Sequence, residues 1–111
     1  MKKLILGGSI GNCVHVAGVA HFLSLAEKEG YRAVFLGPAI SIDTLFNKIK
    51  ELRPEMVSVG YRLTPSNVIP LLDEIDERRK SLPYNPIWTF GGTKPVAHVA
   101  GKYEFCDFIS D

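Results

Sequence analysis

Short apolar runs alternate with helical patterns from one end of this chain to the other, and no other feature restricts its fold as much. Residues 2–7, 32–36, 56–60, 87–90 and 105–109 read as strands. The runs are nearly continuous rather than alternating, as expected where helices cover both faces of a sheet. Between the first two lies a helical pattern over residues 18–28, with Val19, Phe22, Leu23 and Ala26 at i, i+3, i+4 and i+7 and Gly30 placed to close it. Ser41 reads as the N-cap of a second helix, with Leu45, Ile49 and Leu52 on its inner face and Pro54 at its end. Thr64-Pro65 reads as a cap followed by proline at the first helical position of a third helix that runs to about residue 80. Val68, Leu71, Leu72 and Ile75 point inward there, and Pro70 is read as early enough to cost little. Residues 94–101 suit a short fourth helix.

Strands alternating with helices at this spacing specify a parallel sheet with right-handed crossovers. Five strands in 111 residues favour one doubly wound, three-layer α/β/α domain over residues 1–111, Rossmann-like, with the flavodoxin-like order 2-1-3-4-5. In that order a ligand crevice lies at the carboxyl ends of strands one and three. The chain stops at Asp111 straight after strand five, where this architecture places a last helix, so the sequence reads as lacking that helix or as part of a longer protein.

The loop after strand one is Gly7-Gly8-Ser9-Ile10-Gly11-Asn12-Cys13-Val14-His15-Val16-Ala17-Gly18. Its glycines let backbone approach a ligand closely, and His15 stands in its middle as a candidate reactive group. Gly60 to Thr64 leaves strand three at the same edge, and Gly91-Gly92 follows strand four. Three loops therefore converge on one crevice. Arg62 and Lys94 flank it and are candidates to meet a phosphate. Tyr61 stands at its rim, either against a ligand or packed.

Several chemistries are excluded or weakened. A net charge of +1 gives no broad field for nucleic acid or acidic lipid, and no apolar run approaches the ~20 residues that span a bilayer. No signal-peptide pattern stands at the N-terminus, and Cys13 and Cys106 form no disulfide framework, so a soluble cytoplasmic protein is expected. A phosphoacceptor receiver needs an acidic cluster after strand one, where this chain has Ser9, Asn12 and Cys13. Flavin mononucleotide would find only Ser9 as a phosphate-loop hydroxyl, and the glycine spacing does not fit the dinucleotide fingerprint. Zinc would need two ligands beyond Cys13 and His15, with Cys106, His21 and His98 as the candidates. Cys13 paired with His15 as a nucleophile lacks an orienting acid. Cys106 is read as a small core residue of strand five, and Trp88 and Phe90 as sheet packing.

Cys13-Val14-His15-Val16-Ala17-Gly18 resembles the Asp-x-His-x-x-Gly motif of cobalamin (B12)-binding domains, in which the histidine replaces the cofactor's own lower base on cobalt. The resemblance extends over the whole chain, through Leu36-Gly37, Asp43-Thr44-Leu45-Phe46, residues 56–64 against the strand carrying the family's Ser-x-Leu motif, and Phe90-Gly91-Gly92 against its Gly-Gly motif. It is closest to the small cobalamin-binding subunits and domains of adenosylcobalamin-dependent mutases. It implies base-off cobalamin with His15 as the cobalt ligand, in the adenosyl form in preference to methylcobalamin. The nucleotide tail would lie beside the sheet, among Ser9, Gly11, Asn12, Cys13, Val14, Gly18, Gly60, Arg62, Leu63, Thr64, Gly91, Gly92 and Thr93. It implies a cofactor-binding component that serves a separate catalytic subunit or domain, of mutase (isomerase) or, second, methyltransferase type; the chain has no substrate-activating constellation of its own.

Two positions depart from the pattern. The aspartate that hydrogen-bonds the ligating histidine is Cys13 here, a weaker partner for orienting His15. The serine and leucine of Ser-x-Leu fall on Gly60 and Arg62, with Ser58 and Thr64 as nearby substitute hydroxyls. Those departures support the alternative of a domain that keeps the fold without cobalt ligation, as a scaffold or small-molecule sensor.

Overall fold

A computed structural model describes residues 3–111. Its elements in chain order are β1 (Leu4–Ser9), α1 (Ala17–Lys28), β2 (Arg32–Phe35), α2 (Ile42–Leu52), β3 (Met56–Gly60), α3 (Pro65–Arg79), β4 (Ile87–Gly91), α4 (Lys94–Ala100) and β5 (Phe108–Ser110). All four strand pairings are parallel, in the order β2-β1-β3-β4-β5. This is the flavodoxin-like α/β arrangement expected from the alternation of patterns. Lys2, the first residue of the expected first strand, lies outside the described residues.

The two sheet faces are unlike, because side chains alternate along each strand. Leu6, Ile10, Val57, Val59, Trp88 and Phe90 share one face and pack into the main core with residues of α2, α3 and α4. Trp88 sits between Phe46 and Phe105, with ring centroids 6.0 and 5.6 Å away. Tyr61 is buried in this core, so its role is packing. The opposite face holds a smaller core of Ile5, Val19, Leu23 and Ala26, where α1 lies on β1. Among the described residues no helix lies over this face of β4 and β5, and Phe108 is 63% exposed.

Helix starts follow local chemistry. Ser41 caps α2, its Oγ accepting the Thr44 N–H at 3.1 Å. Thr64 occupies the N-cap of α3 with Pro65 following, yet its side chain makes no capping bond. Ser41→Ala should therefore cost about 1 kcal/mol in denaturant unfolding, and Thr64→Ala clearly less.

Three expectations need correction. Pro70 is the sixth residue of α3, beyond the four amides a helix leaves free, so the Ser66 carbonyl loses its i+4 partner. Strand five is only Phe108–Ser110, and Cys106 lies in the turn before it. The Asp107 carboxylate accepts the Trp88 N–H at 2.9 Å while the Asp107 N–H donates to the Trp88 carbonyl at 2.9 Å, so a side chain takes the place of one rung of the ladder. Finally, β1 runs on to Ser9, because Ser9 and Gly60 are register partners, and β4 takes in Gly91.

Candidate functional site

The carboxyl end of β1 is tied on both sides before the chain enters α1. The Ile10 N–H donates to the Gly60 carbonyl at 3.1 Å and the Gly11 N–H to the Ile40 carbonyl at 2.9 Å. Gly11 adopts φ +64°, the left-handed conformation that favours glycine. The turn brings Cys13 into the core, fully buried, while Asn12, Val14 and His15 remain exposed.

Two side chains fix His15. The buried Ser9 hydroxyl donates to the His15 carbonyl at 2.7 Å and holds its backbone. The Cys13 Sγ lies 3.6 Å from His15 Nδ1 and also accepts the Arg62 N–H at 3.3 Å. The sulfur therefore joins the β1–α1 loop to the β3–α3 loop. It engages one imidazole nitrogen and leaves Nε2 for a ligand.

His15 opens onto a cleft of about 450 Å³ along the less covered sheet face, a size within the usual range for ligand sites. Gly18, Val19 and Phe22 of α1 form one wall, and Phe108 and Ser110 of β5 the other side. The floor is Met56, Ser58 and Gly60 of β3 with Thr89 and Gly91 of β4. Arg62 and Asp111 stand with His15 among the lining residues. Register orders the floor by depth: Gly60 beside Gly91 at the carboxyl edge, Ser58 beside Thr89 below, and Met56 at the start of β3. From Gly60 to Met56 is four residues, a depth of roughly 13 Å at strand rise.

The two floor glycines differ in what they face. A Cβ on Gly60 would lie 2.8 Å from Val19 Cγ2, so α1 can sit this close only over a glycine. A Cβ on Gly91 would meet nothing nearer than Ser110 Oγ at 3.5 Å, and one on Gly18 would project into open space.

Of the residues singled out in the sequence, His15, Gly18, Ser58, Gly60, Arg62 and Gly91 line the cleft. Ser9 and Cys13 do not line the cleft but contact His15, at its carbonyl and its Nδ1. Val14 and Leu63 are exposed apolar side chains, 62% and 40% accessible, on the same two loops as His15 and Arg62. Asn12 and Thr64 are exposed, and Thr93 is half-buried at the N-cap of α4; none of the three lines the cleft. Two glycines face elsewhere. Gly11 abuts Leu71 of α3, and a Cβ on Gly92 would strike the Tyr61 carbonyl oxygen at 2.6 Å. Gly92 is thus a packing glycine of the main core, and room for a ligand comes from Gly91. Lys94, the first residue of α4, does not line the cleft either.

The sequence reading passed over Val19, Phe22, Met56, Thr89, Phe108 and Ser110 as lining residues. A signal was present for Thr89: like Ser58, it is a hydroxyl between two apolar residues of a strand, which marks that face as the polar one. Cys106 is chemically quiet, since burial above all, with the Asp107 and Asp76 carboxylates, pushes its thiol up to about 12. Among the described residues no group of three or more His, Cys, Asp or Glu side chains is arranged to hold a metal ion, so zinc has no cage. Nor is any described helix long and apolar enough to cross a membrane.

No protein-family model matches the chain. Among solved structures, its fold is similar to that of a cobalamin-binding protein from Desulfitobacterium hafniense DCB-2, with a TM-score of 0.81 and 22% sequence identity. The match covers 98% of this chain and 53% of that one, so the chain spans about half the length of the protein it resembles. At this identity the likeness bears on the fold alone.

Proposed function

We propose that this chain is a cobalamin-binding domain that takes the cofactor base-off, with His15 Nε2 as the lower cobalt ligand and the nucleotide tail in the cleft. One observation carries the reading: a single imidazole, held from its Nδ1 side, opens on a deep cleft whose floor is two glycines followed by two hydroxyls. The residues fit the group. Neutral imidazole is a good cobalt ligand, and a partner on the second nitrogen orients it. Val14 and Leu63 are exposed and would give a corrin face apolar contact, and Arg62, which lines the cleft, would meet a phosphate. Ser58 is 6% exposed and lines the cleft, where its hydroxyl would meet a polar atom of the tail.

Bound adenosylcobalamin would supply a weak cobalt–carbon bond as a source of radicals. The chain's own residues would do the rest: His15 ligates, Cys13 and Ser9 hold it in place, and the glycine floor admits the tail. Substrate would be activated elsewhere, in a separate catalytic subunit or domain of mutase type. Free Cys13 and Cys106 suit a reducing cytoplasm.

The test is an absorption titration of the purified chain with cobalamin. Histidine-ligated, base-off binding should shift the visible bands, and His15→Ala should bind with a water-ligated spectrum. Binding with no change in the His15→Ala spectrum would favour a domain without cobalt ligation, which the Cys13 substitution of the motif aspartate makes the second reading. Absence of binding would refute the proposal.

A further inference from the structure

The depth profile of the cleft bears on which cobamides it accepts, an inference that rests on the function proposed above. Cobamides share the corrin ring and differ in the base at the end of the nucleotide tail. At mid-depth the cleft offers two neighbouring hydroxyls, Ser58 and Thr89, register partners on one sheet face. Its inner end offers the thioether of Met56 at the start of β3, and the Phe22 ring of α1 lines the same cleft; both pack against the smaller core. Among the described residues no charged or amide side chain lines the cleft below the level of Arg62 and Asp111.

We infer that the cleft selects cobamides with a benzimidazole-type lower base over those with a purine. Released from cobalt, a dimethylbenzimidazole presents one ring nitrogen as its sole polar atom and two methyl groups on its far edge. Ser58 has the matching features: it is more than nine-tenths buried, it lines the cleft, and a hydroxyl can donate to one acceptor. Phe22 and Met56 match the methylated edge. Adenine carries an exocyclic amine and further ring nitrogens at the edge that would meet Phe22 and Met56. Those groups would be buried without partners, and an unsatisfied buried polar group weakens binding by about ten-fold or more.

The test is a titration of the full chain, by absorption and calorimetry, with three ligands: cobalamin, the adenine-based cobamide, and cobinamide, which lacks the tail. Cobalamin should bind at least about ten-fold more tightly than the adenine form. Ser58→Ala should weaken cobalamin several-fold and leave cobinamide unchanged. Met56→Gln, which places an amide at the inner end, should narrow the gap between the two complete cobamides. Equal or tighter binding of the adenine form to the wild-type chain overturns the selectivity. Failure of all three ligands to bind overturns the cobalamin reading itself, so the two failures are distinct. Thermal unfolding of each variant separates a folding defect from a lost contact. A Ser58→Ala protein that melts like wild type and keeps full cobalamin affinity removes Ser58 from the account.

Discussion

Gly91→Trp should leave the domain folded and reduce cobalamin affinity at least about a hundred-fold, whereas Gly92→Ala, a far smaller change one residue on, should destabilise the fold. The contrast follows from the pleat, which sends adjacent residues to opposite sheet faces. At Gly91 a new side chain enters the cleft, where the nearest atom to its Cβ is Ser110 Oγ at 3.5 Å. An indole there would fill the space beside Gly60 that the tail needs. At Gly92 the Cβ would stand 2.6 Å from the Tyr61 carbonyl oxygen, 3.0 Å from Val96 Cγ1 and 3.2 Å from Phe90 Cε1. The first contact is with backbone, and the Tyr61 N–H is bonded to the Gly91 carbonyl at 3.0 Å, so that segment cannot yield cheaply. Overpacking of this kind costs about 1–3 kcal/mol or more. Denaturant unfolding and a cobalamin titration on both variants check the pair. A Gly91→Trp protein that binds cobalamin normally would remove the tail from this cleft.

That pair also shows how far the sequence was legible. Alternating apolar runs and helical patterns specify the parallel sheet and its order, because strand length, crossover handedness and helix amphipathicity are local properties. The position of His15 on a cleft was legible because an imidazole in a glycine-rich loop is hard to explain by packing. Gly91 and Gly92 looked equivalent, since the end of β4, and with it the face each residue takes, depends on the β4–β5 pairing. Met56 and Phe22 read as plain core positions. They line a cleft because no described helix covers the sheet face beyond α1, which is a fact of tertiary arrangement. The short β5 was misread for a similar reason: Phe105 is apolar and buried, but it packs edge-on against Trp88 from a turn, not from a strand.

Cys13 is where sequence and geometry together make the strongest statement about chemistry. The sulfur has two contacts, His15 Nδ1 at 3.6 Å and the Arg62 N–H at 3.3 Å, so its removal frees the ring and leaves a backbone donor unpaired. Loss of such a partner behind a metal ligand typically costs ten- to a hundred-fold in affinity. Cys13→Ala should accordingly lower the imidazole-ligated fraction of bound cobalamin by about ten-fold or more, while the tail contacts keep the cofactor bound. Cys13→Asp should do the reverse. A carboxylate accepts from both N–H groups more strongly than sulfur does, which holds the proton on Nδ1 and keeps Nε2 open. The readout is nitrogen splitting in the electron paramagnetic resonance spectrum of the Co(II) form, which reports ligation directly and which a purely structural role would not move. If Cys13→Ala and wild type show the same splitting, the thiol does not position the ligand. If Cys13→Asp ligates more strongly than wild type, the natural cysteine holds the cobalt–imidazole bond weak, and the cobalt's lower position is then easily vacated.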